Sequence, residues 1–406
     1  MRAITTLFAV LLTLAACSPR DNPPQPRRDG DWAESWMTSP QPPREAPMDL
    51  ADQTVRQVVR VGLGARRARI RISNTFGRGV LELGAAHLAL SDGGARIQAG
   101  SDRPLTFGGR PGLTLAVGES RLSDPVDLDI APLGHLTVSL YVKAARGASE
   151  HSMGLSTAYL VSGNAVGAAD LPGASRTTRR LLLSGVEAPA PARARVVVAL
   201  GDSITDGKGS DPDAEHRWID RLADRLTART GGRPVALLNA GIAGNRLLHE
   251  GIGPSALARF DRDVLGQAGV SDLILFEGIN DIGLPALIGR LDQRVGPQDL
   301  IGAYQGLIRR AHARGLRVIG VTLAPCGPNP ESPGYASPRN AALRQAVNQW
   351  IRTSGAFDAV IDADAALRDP ADPGRLRPAY DSGDHLHPNQ AGYEALAQAV
   401  DLRIFD

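Results

Sequence analysis

The sequence predicts two units in series: an all-β sandwich, then an α/β domain built on a parallel sheet with helices on both faces. Three observations predict this. From about Asp49 to Val186, apolar and polar residues alternate with period two, and no amphipathic helix interrupts. From residue 194 onward, short apolar runs alternate with helical stretches, the pattern of strands joined by crossover helices. Between them, Ala188-Pro189-Ala190-Pro191-Ala192 reads as a stiff linker. A chain of 406 residues has the length for more than one domain.

The elements follow in order. Arg2 is a short basic region, and Ile4 to Ala16 is an apolar run too short to span a bilayer as a helix. It closes on Leu14-Ala15-Ala16-Cys17, which resembles the lipobox of bacterial lipoproteins. That resemblance implies a signal peptide over 1–17, cleavage before Cys17 and lipidation of its thiol. With Ser18 next, it implies an anchor in the cell envelope, at the outer membrane. Residues 18–47, rich in Pro, Arg and Asp, read as a tether, with Trp32 and Trp36 as its first ordered element. Residues 48–187 form the sandwich. Its strands include Ala68-Arg69-Ile70-Arg71-Ile72-Ser73-Asn74, Leu113-Thr114-Leu115-Ala116-Val117 and Leu136-Thr137-Val138-Ser139-Leu140-Tyr141-Val142, punctuated by Asp92-Gly93-Gly94, Gly108-Gly109 and Gly118-Glu119. In the α/β domain, 194–406, strands are expected at 194–200, 235–239, 272–276, 316–323 and 358–362. Helices are expected at 214–230, 254–268, 298–314, 338–354 and 389–401. In the first helix Trp218, Leu222 and Leu226 recur every four residues, with Ile219 beside them, as one buried stripe.

Charge narrows the function classes. Lys and Arg total 45 against 43 Asp and Glu, a net charge of +2, with no basic block to suggest nucleic acid. No run beyond the leader approaches the roughly 20 apolar residues of a membrane helix, so the membrane enters only through the lipid anchor. If Cys17 is lipidated, Cys326 has no partner for an intramolecular disulfide; in Ala324-Pro325-Cys326-Gly327-Pro328 it reads as a small buried hydrophobe.

The chemistry gathers at one edge. In an open parallel sheet, ligands bind at the carboxyl ends of the strands. Gly201-Asp202-Ser203-Ile204-Thr205-Asp206-Gly207 follows the first strand, so Ser203 sits in a tight turn where a nucleophile belongs. Asn239-Ala240-Gly241-Ile242-Ala243-Gly244-Asn245 follows the second strand and Glu277-Gly278-Ile279-Asn280-Asp281 the third. Asp384-His385-Leu386-His387-Pro388 precedes the last helix, whose cap is Asn389. It supplies a carboxylate and an imidazole three residues apart, the remaining parts of a Ser-His-Asp relay. Thr205 stands at the last glycine of G-x-S-x-G, which speaks against the α/β-hydrolase nucleophile elbow.

These four blocks, in this order over about 194–406, resemble the conserved blocks of the SGNH (GDSL-type) hydrolases. They resemble most a subgroup of arylesterases and acetylesterases found beside xylan-degrading enzymes, which pairs a β-rich module with this domain. The resemblance implies an SGNH-type, flavodoxin-like sheet and a serine esterase. In it Ser203 is the nucleophile, His387 the general base and acid, and Asp384 the group orienting His387. It also implies an oxyanion hole made of the Ser203 and Gly244 backbone amides and the Asn280 side chain. Asn245 and Arg246 are candidates for lining the substrate site.

Rival readings attach to several residues. Ser203 could be a helix cap. Asp384, His385 and His387 could bind a metal, although no second ligand cluster appears; the leading reading uses neither metal nor cofactor. His385 is expected to face away into a structural hydrogen bond. Asp202 and Asp281 are expected to brace their own loops, His216, His249 and His312 to face solvent, and Trp218 to be core. The expected substrate is a short acyl ester, acetyl foremost, on a small molecule or polysaccharide. The alternatives are a lipase, lysophospholipase or arylesterase on the same residues, or a glycan-binding lipoprotein. The sequence sets no oligomeric state.

Overall fold

A computed structural model describes residues 31–330, 332 and 334–406. The signal peptide, Cys17 and the first part of the expected tether lie outside the described residues.

The parallel sheet runs in the order Val235–Gly241, Arg195–Gly201, Asp272–Phe276, Arg317–Val321, Ala359–Ile361. Its alternation divides two cores. Val196, Val198 and Leu200 point to one face, which packs on helices Ala256–Phe260, Pro297–His312 and Pro338–Thr353. Val197 and Ala199 point to the other, with Trp218, Leu222 and Leu226 of helix Trp218–Ala228 and Tyr393 and Leu396 of helix Gln390–Ala399. The fold class is as expected: a parallel sheet with helices on both faces behind an antiparallel, sheet-rich module. The register pairs Gly201 with Gly241 on one side and with Phe276 on the other, so three strands end level and their following loops meet.

Two antiparallel sheets enclose the core of the N-terminal module. One holds Trp32–Met37, Leu183–Pro189 and Ala65–Ser73; the other is centred on Gln53–Arg60, His135–Ala145 and Leu81–Leu90.

Several boundaries need correction. Trp32 and Trp36 are the first ordered element, as expected, but the sandwich begins there rather than at residue 48, because Trp32–Met37 pairs along Leu183–Pro189, from Trp32↔Pro189 to Met37↔Gly185. The linker reading fails: Leu183–Pro189 is a strand through Pro189, and Ala190 and Ala194 are buried in the core of the α/β domain with Ala33, Met37 and Leu63. Pro189 is tolerated because it ends its strand. The first helix begins at Trp218 rather than 214, since Asp213 and Glu215 hold φ of 60° and 52°. A helix over Ile279–Leu287 escaped the sequence reading, its pattern masked by Gly283 and Pro285. The short helix Ala363–Leu367 escaped as well.

Candidate active site

The turn after the first strand is built for close approach. A Cβ at Gly201 would lie 2.3 Å from Thr205 Oγ1 and 2.6 Å from the Phe276 carbonyl, so only glycine lets the chain turn there. Asp202 caps the one-turn helix Ser203–Asp206 by accepting the Ile204 amide at 2.9 Å, and Gly207, at φ 104°, ends it. Ser203 thus sits at the first helical position, where its backbone N–H has no intrahelical partner.

Four segments converge here. Ser203 Oγ lies 2.7 Å from His387 Nε2, and His387 Nδ1 lies 2.6 Å from Asp384 Oδ2. The other carboxylate oxygen accepts the backbone amides of Leu386 and His387 at 3.0 and 2.8 Å and the Ser382 hydroxyl at 3.1 Å. A spacing of three lets one turn hold both carboxylate and imidazole. Burial alone would raise the Asp384 carboxyl; the hydrogen bond and charge of His387, with these amides, outweigh it and hold the group well below the usual carboxylate range. Lys208 Nζ stands 3.9 Å from Asp384 Oδ2.

Gly244 (φ 78°) faces the same cleft, and a Cβ there would meet Ile252 Cδ1 at 2.5 Å. Asn280, in the first turn of helix Ile279–Leu287, donates from Nδ2 to the Asn245 carbonyl at 2.8 Å and accepts the Tyr335 hydroxyl on Oδ1 at 2.6 Å. These two bonds fix which end of the amide is Nδ2, and they use only one of its two N–H groups. The cleft, of about 320 Å³, is lined by Ser203, Gly244, Asn280 and His387, with Ile252, Leu284, Leu287 and Leu386 as an apolar wall.

Two expected substrate residues are not in it. Asn245 is buried, its Nδ2 donating to the Ile252 and Pro254 carbonyls and its Oδ1 accepting Arg259 Nε. Arg246 is buried too, bonded to Gln293 and the Glu250 carbonyl. Both brace the loop because its turn folds their side chains back into the protein. The two rings of the D-H-x-H segment take different partners: His385, at φ 58°, points Nδ1 to Asp381 at 2.6 Å. Among the described residues, no group of three His, Cys, Asp or Glu side chains is placed to hold a metal ion.

Behind the site, Asp281 accepts the Leu247 and Leu248 amides at 2.6 and 2.9 Å. Burial pushes Asp281 up to about 6 and Asp202 up to about 7. Cys326 is buried, and burial pushes its thiol up to about 11. His216 and His312 bond Gln390 and Asp358 at the periphery, Asn389 caps the last helix through the Gly392 amide, and Trp218 is core. Tyr335, Lys208 and the apolar wall were not singled out from sequence; the Pro- and Gly-rich stretch 324–337 gives no periodicity from which to place Tyr335.

Residues 199–395 match the family model of GDSL-like lipases and acylhydrolases. The α/β domain belongs to this family. It is therefore an ester-hydrolysing enzyme, and the match spans all four blocks. Among solved structures, it is similar to a lipase/acylhydrolase from Enterococcus faecalis (24% identity, 52% of this chain and 94% of that one, TM-score 0.39). It is also similar to a GDSL-like lipase from Bacteroides thetaiotaomicron VPI-5482 (18% identity, 50% and 85%, TM-score 0.38). No curated protein matches the chain.

Proposed function

We propose that this GDSL-like hydrolase is an exported, lipid-anchored serine esterase that removes short acyl groups, acetyl foremost, from polysaccharide or oligosaccharide. The observation that carries the reading is the hydrogen-bonded series Ser203–His387–Asp384 opening on the cleft. Ser203 Oγ attacks the acyl carbon while His387 Nε2 takes its proton. The tetrahedral oxyanion is held by the Ser203 and Gly244 amides and Asn280 Nδ2. His387 then protonates the departing alcohol, and a water, deprotonated by the same nitrogen, releases the acid from the acyl-enzyme. Asp384 holds the Nδ1–H tautomer and stabilises the imidazolium.

A cleft of about 320 Å³ is at the small end for ligand sites, which suits a short acyl ester. Export and anchoring rest on Leu14-Ala15-Ala16-Cys17, and the carbohydrate context on the resemblance of the blocks. One observation favours a second reading, a longer acyl or aryl ester: Ile252 and Leu287 in the cleft wall are 51% and 46% exposed. A chain-length series of p-nitrophenyl esters, run beside acetate release from acetylated polysaccharides, separates the two. Highest kcat/KM on acetyl supports the first; kcat/KM rising beyond about eight carbons moves the second ahead.

A further inference from the structure

The loop that carries Gly244 is held from behind by the N-terminal module. Ser39, fully buried just beyond the strand Trp32–Met37, makes two contacts. Its carbonyl accepts His151 Nδ1–H at 3.0 Å, and its hydroxyl accepts Arg259 Nη1–H at 3.1 Å. His151 also comes from the sandwich, and its Nε2 lies 2.9 Å from Asp206 Oδ1. Both ring nitrogens face oxygen atoms; burial works against a charged ring, but the charge and hydrogen bond of Asp206 and the Ser39 carbonyl outweigh it and push the His151 imidazole above its ordinary value. The second Asp206 oxygen accepts the Ala243 amide at 2.9 Å, one peptide before Gly244. Arg259, entirely buried, donates Nε to Asn245 Oδ1 at 3.0 Å, Nη1 to the Ala240 carbonyl at 2.6 Å and Nη2 to the Gly201 carbonyl at 2.9 Å. Asn245 in turn offers its carbonyl to Asn280 Nδ2.

Two routes therefore run from the sandwich to the oxyanion donors. One passes through His151 and Asp206 to the peptide before Gly244. The other passes through Ser39, Arg259 and Asn245 to Asn280. We propose that Ser39 and His151 are positioning residues of the esterase, and that the sandwich holds the 243–245 loop so that the Gly244 amide and the Asn280 carboxamide stay aimed at the Ser203 oxyanion. The inference rests on the serine-esterase reading above. Neither residue lines the cleft, so substrate binding in the ground state is left intact. Mispositioned donors act on the transition state alone, which places the loss in kcat rather than KM.

The test is steady-state hydrolysis of p-nitrophenyl acetate by the full chain, with thermal melting of every variant. His151→Ala is expected to lower kcat tenfold to about a hundredfold, the scale of a donor displaced by up to roughly 1 Å, with KM within about twofold. His151→Gln, whose amide N–H can still reach Asp206, is expected to recover most of that loss. A folded His151→Ala with wild-type kcat overturns the inference. So does a loss that comes with an equal rise in KM and is not recovered by glutamine, since that is disruption in general. If His151→Ala does not fold, Ser39→Ala decides: several-fold lower kcat at unchanged KM supports the inference, and unchanged kcat overturns it. Ser203→Ala runs beside them. Activity that survives Ser203→Ala overturns the serine reading and this inference together, whereas Ser203-dependent activity with an indifferent His151 overturns this inference alone.

Discussion

Replacing Asn280 by alanine removes one of three oxyanion donors. Loss of a single such donor costs about 3–4 kcal/mol of barrier, or roughly a hundredfold to a thousandfold in kcat. The structure adds a second cost. Asn280 is buried and bonded at both ends of its amide, so its removal strands the Asn245 carbonyl and the Tyr335 hydroxyl, worth about 1–3 kcal/mol of stability for each group left without a partner. Tyr335→Phe separates these effects. It deletes only the bond that fixes Oδ1, while the Asn245 carbonyl still selects the Nδ2 side, so kcat is expected to fall only about threefold to tenfold, the worth of one hydrogen bond. The assay is p-nitrophenyl acetate hydrolysis at saturating substrate, with melting temperatures of both variants. Asn280→Ala with kcat within about threefold of wild type would refute the assignment of its amide to the oxyanion.

Asp384→Asn keeps the shape but presents an amide to His387 Nδ1; kcat is expected to fall by about 10⁴ with little change in melting temperature, measured in the same assay. Gly244→Ala places a Cβ against Ile252 Cδ1 at a φ of 78°, and kcat is expected to drop at least tenfold; truncating Ile252 as well relieves the clash but not the strain, so recovery is partial. Glu34 gives a pH signature in stability. Burial, then the charge of Glu187 opposite it in the ladder, pushes its carboxyl from 4.5 up to about 8. A folded-state value above the unfolded one means that the stabilisation is full below pH 4.5 and is lost as pH rises through 8. Glu34→Gln cannot ionise, so its advantage over wild type in denaturant melts is expected to grow across that window by about 1.4 kcal/mol per pH unit, to about 5 kcal/mol at most. A flat difference from pH 5 to 9 counts against this account of the strand pair.

The parallel sheet was legible because its strands are continuous apolar runs and its helices carry stripes such as Trp218, Leu222 and Leu226. The short motifs were legible because each needs its residues for a local reason: Gly201 for the close turn, Asp384 and His387 for a three-residue reach. What escaped depends on long-range packing. Asn245 and Arg246 follow Gly244 and looked poised for substrate, but the fold of that turn, set by Arg259 and Asp281, sends them inward. Trp32 and Trp36 marked an ordered element among Pro-, Arg- and Asp-rich neighbours, but that it is a strand of the sandwich is revealed only by its partner some 150 residues away. Asp206 lies inside the Ser203 motif, yet its partner His151 belongs to another module, a pairing with no local signature.

The mechanism stands on Ser203 as the nucleophile of an esterase acting without a metal. The most direct measurement is hydrolysis of p-nitrophenyl acetate by the wild-type chain and Ser203→Ala, each with and without a chelator. Turnover is expected to be unaffected by chelator and to fall by several orders of magnitude in Ser203→Ala, toward the residual rate of binding and oxyanion stabilisation alone. Equal rates in the two proteins, or a wild-type rate abolished by chelator, would contradict it.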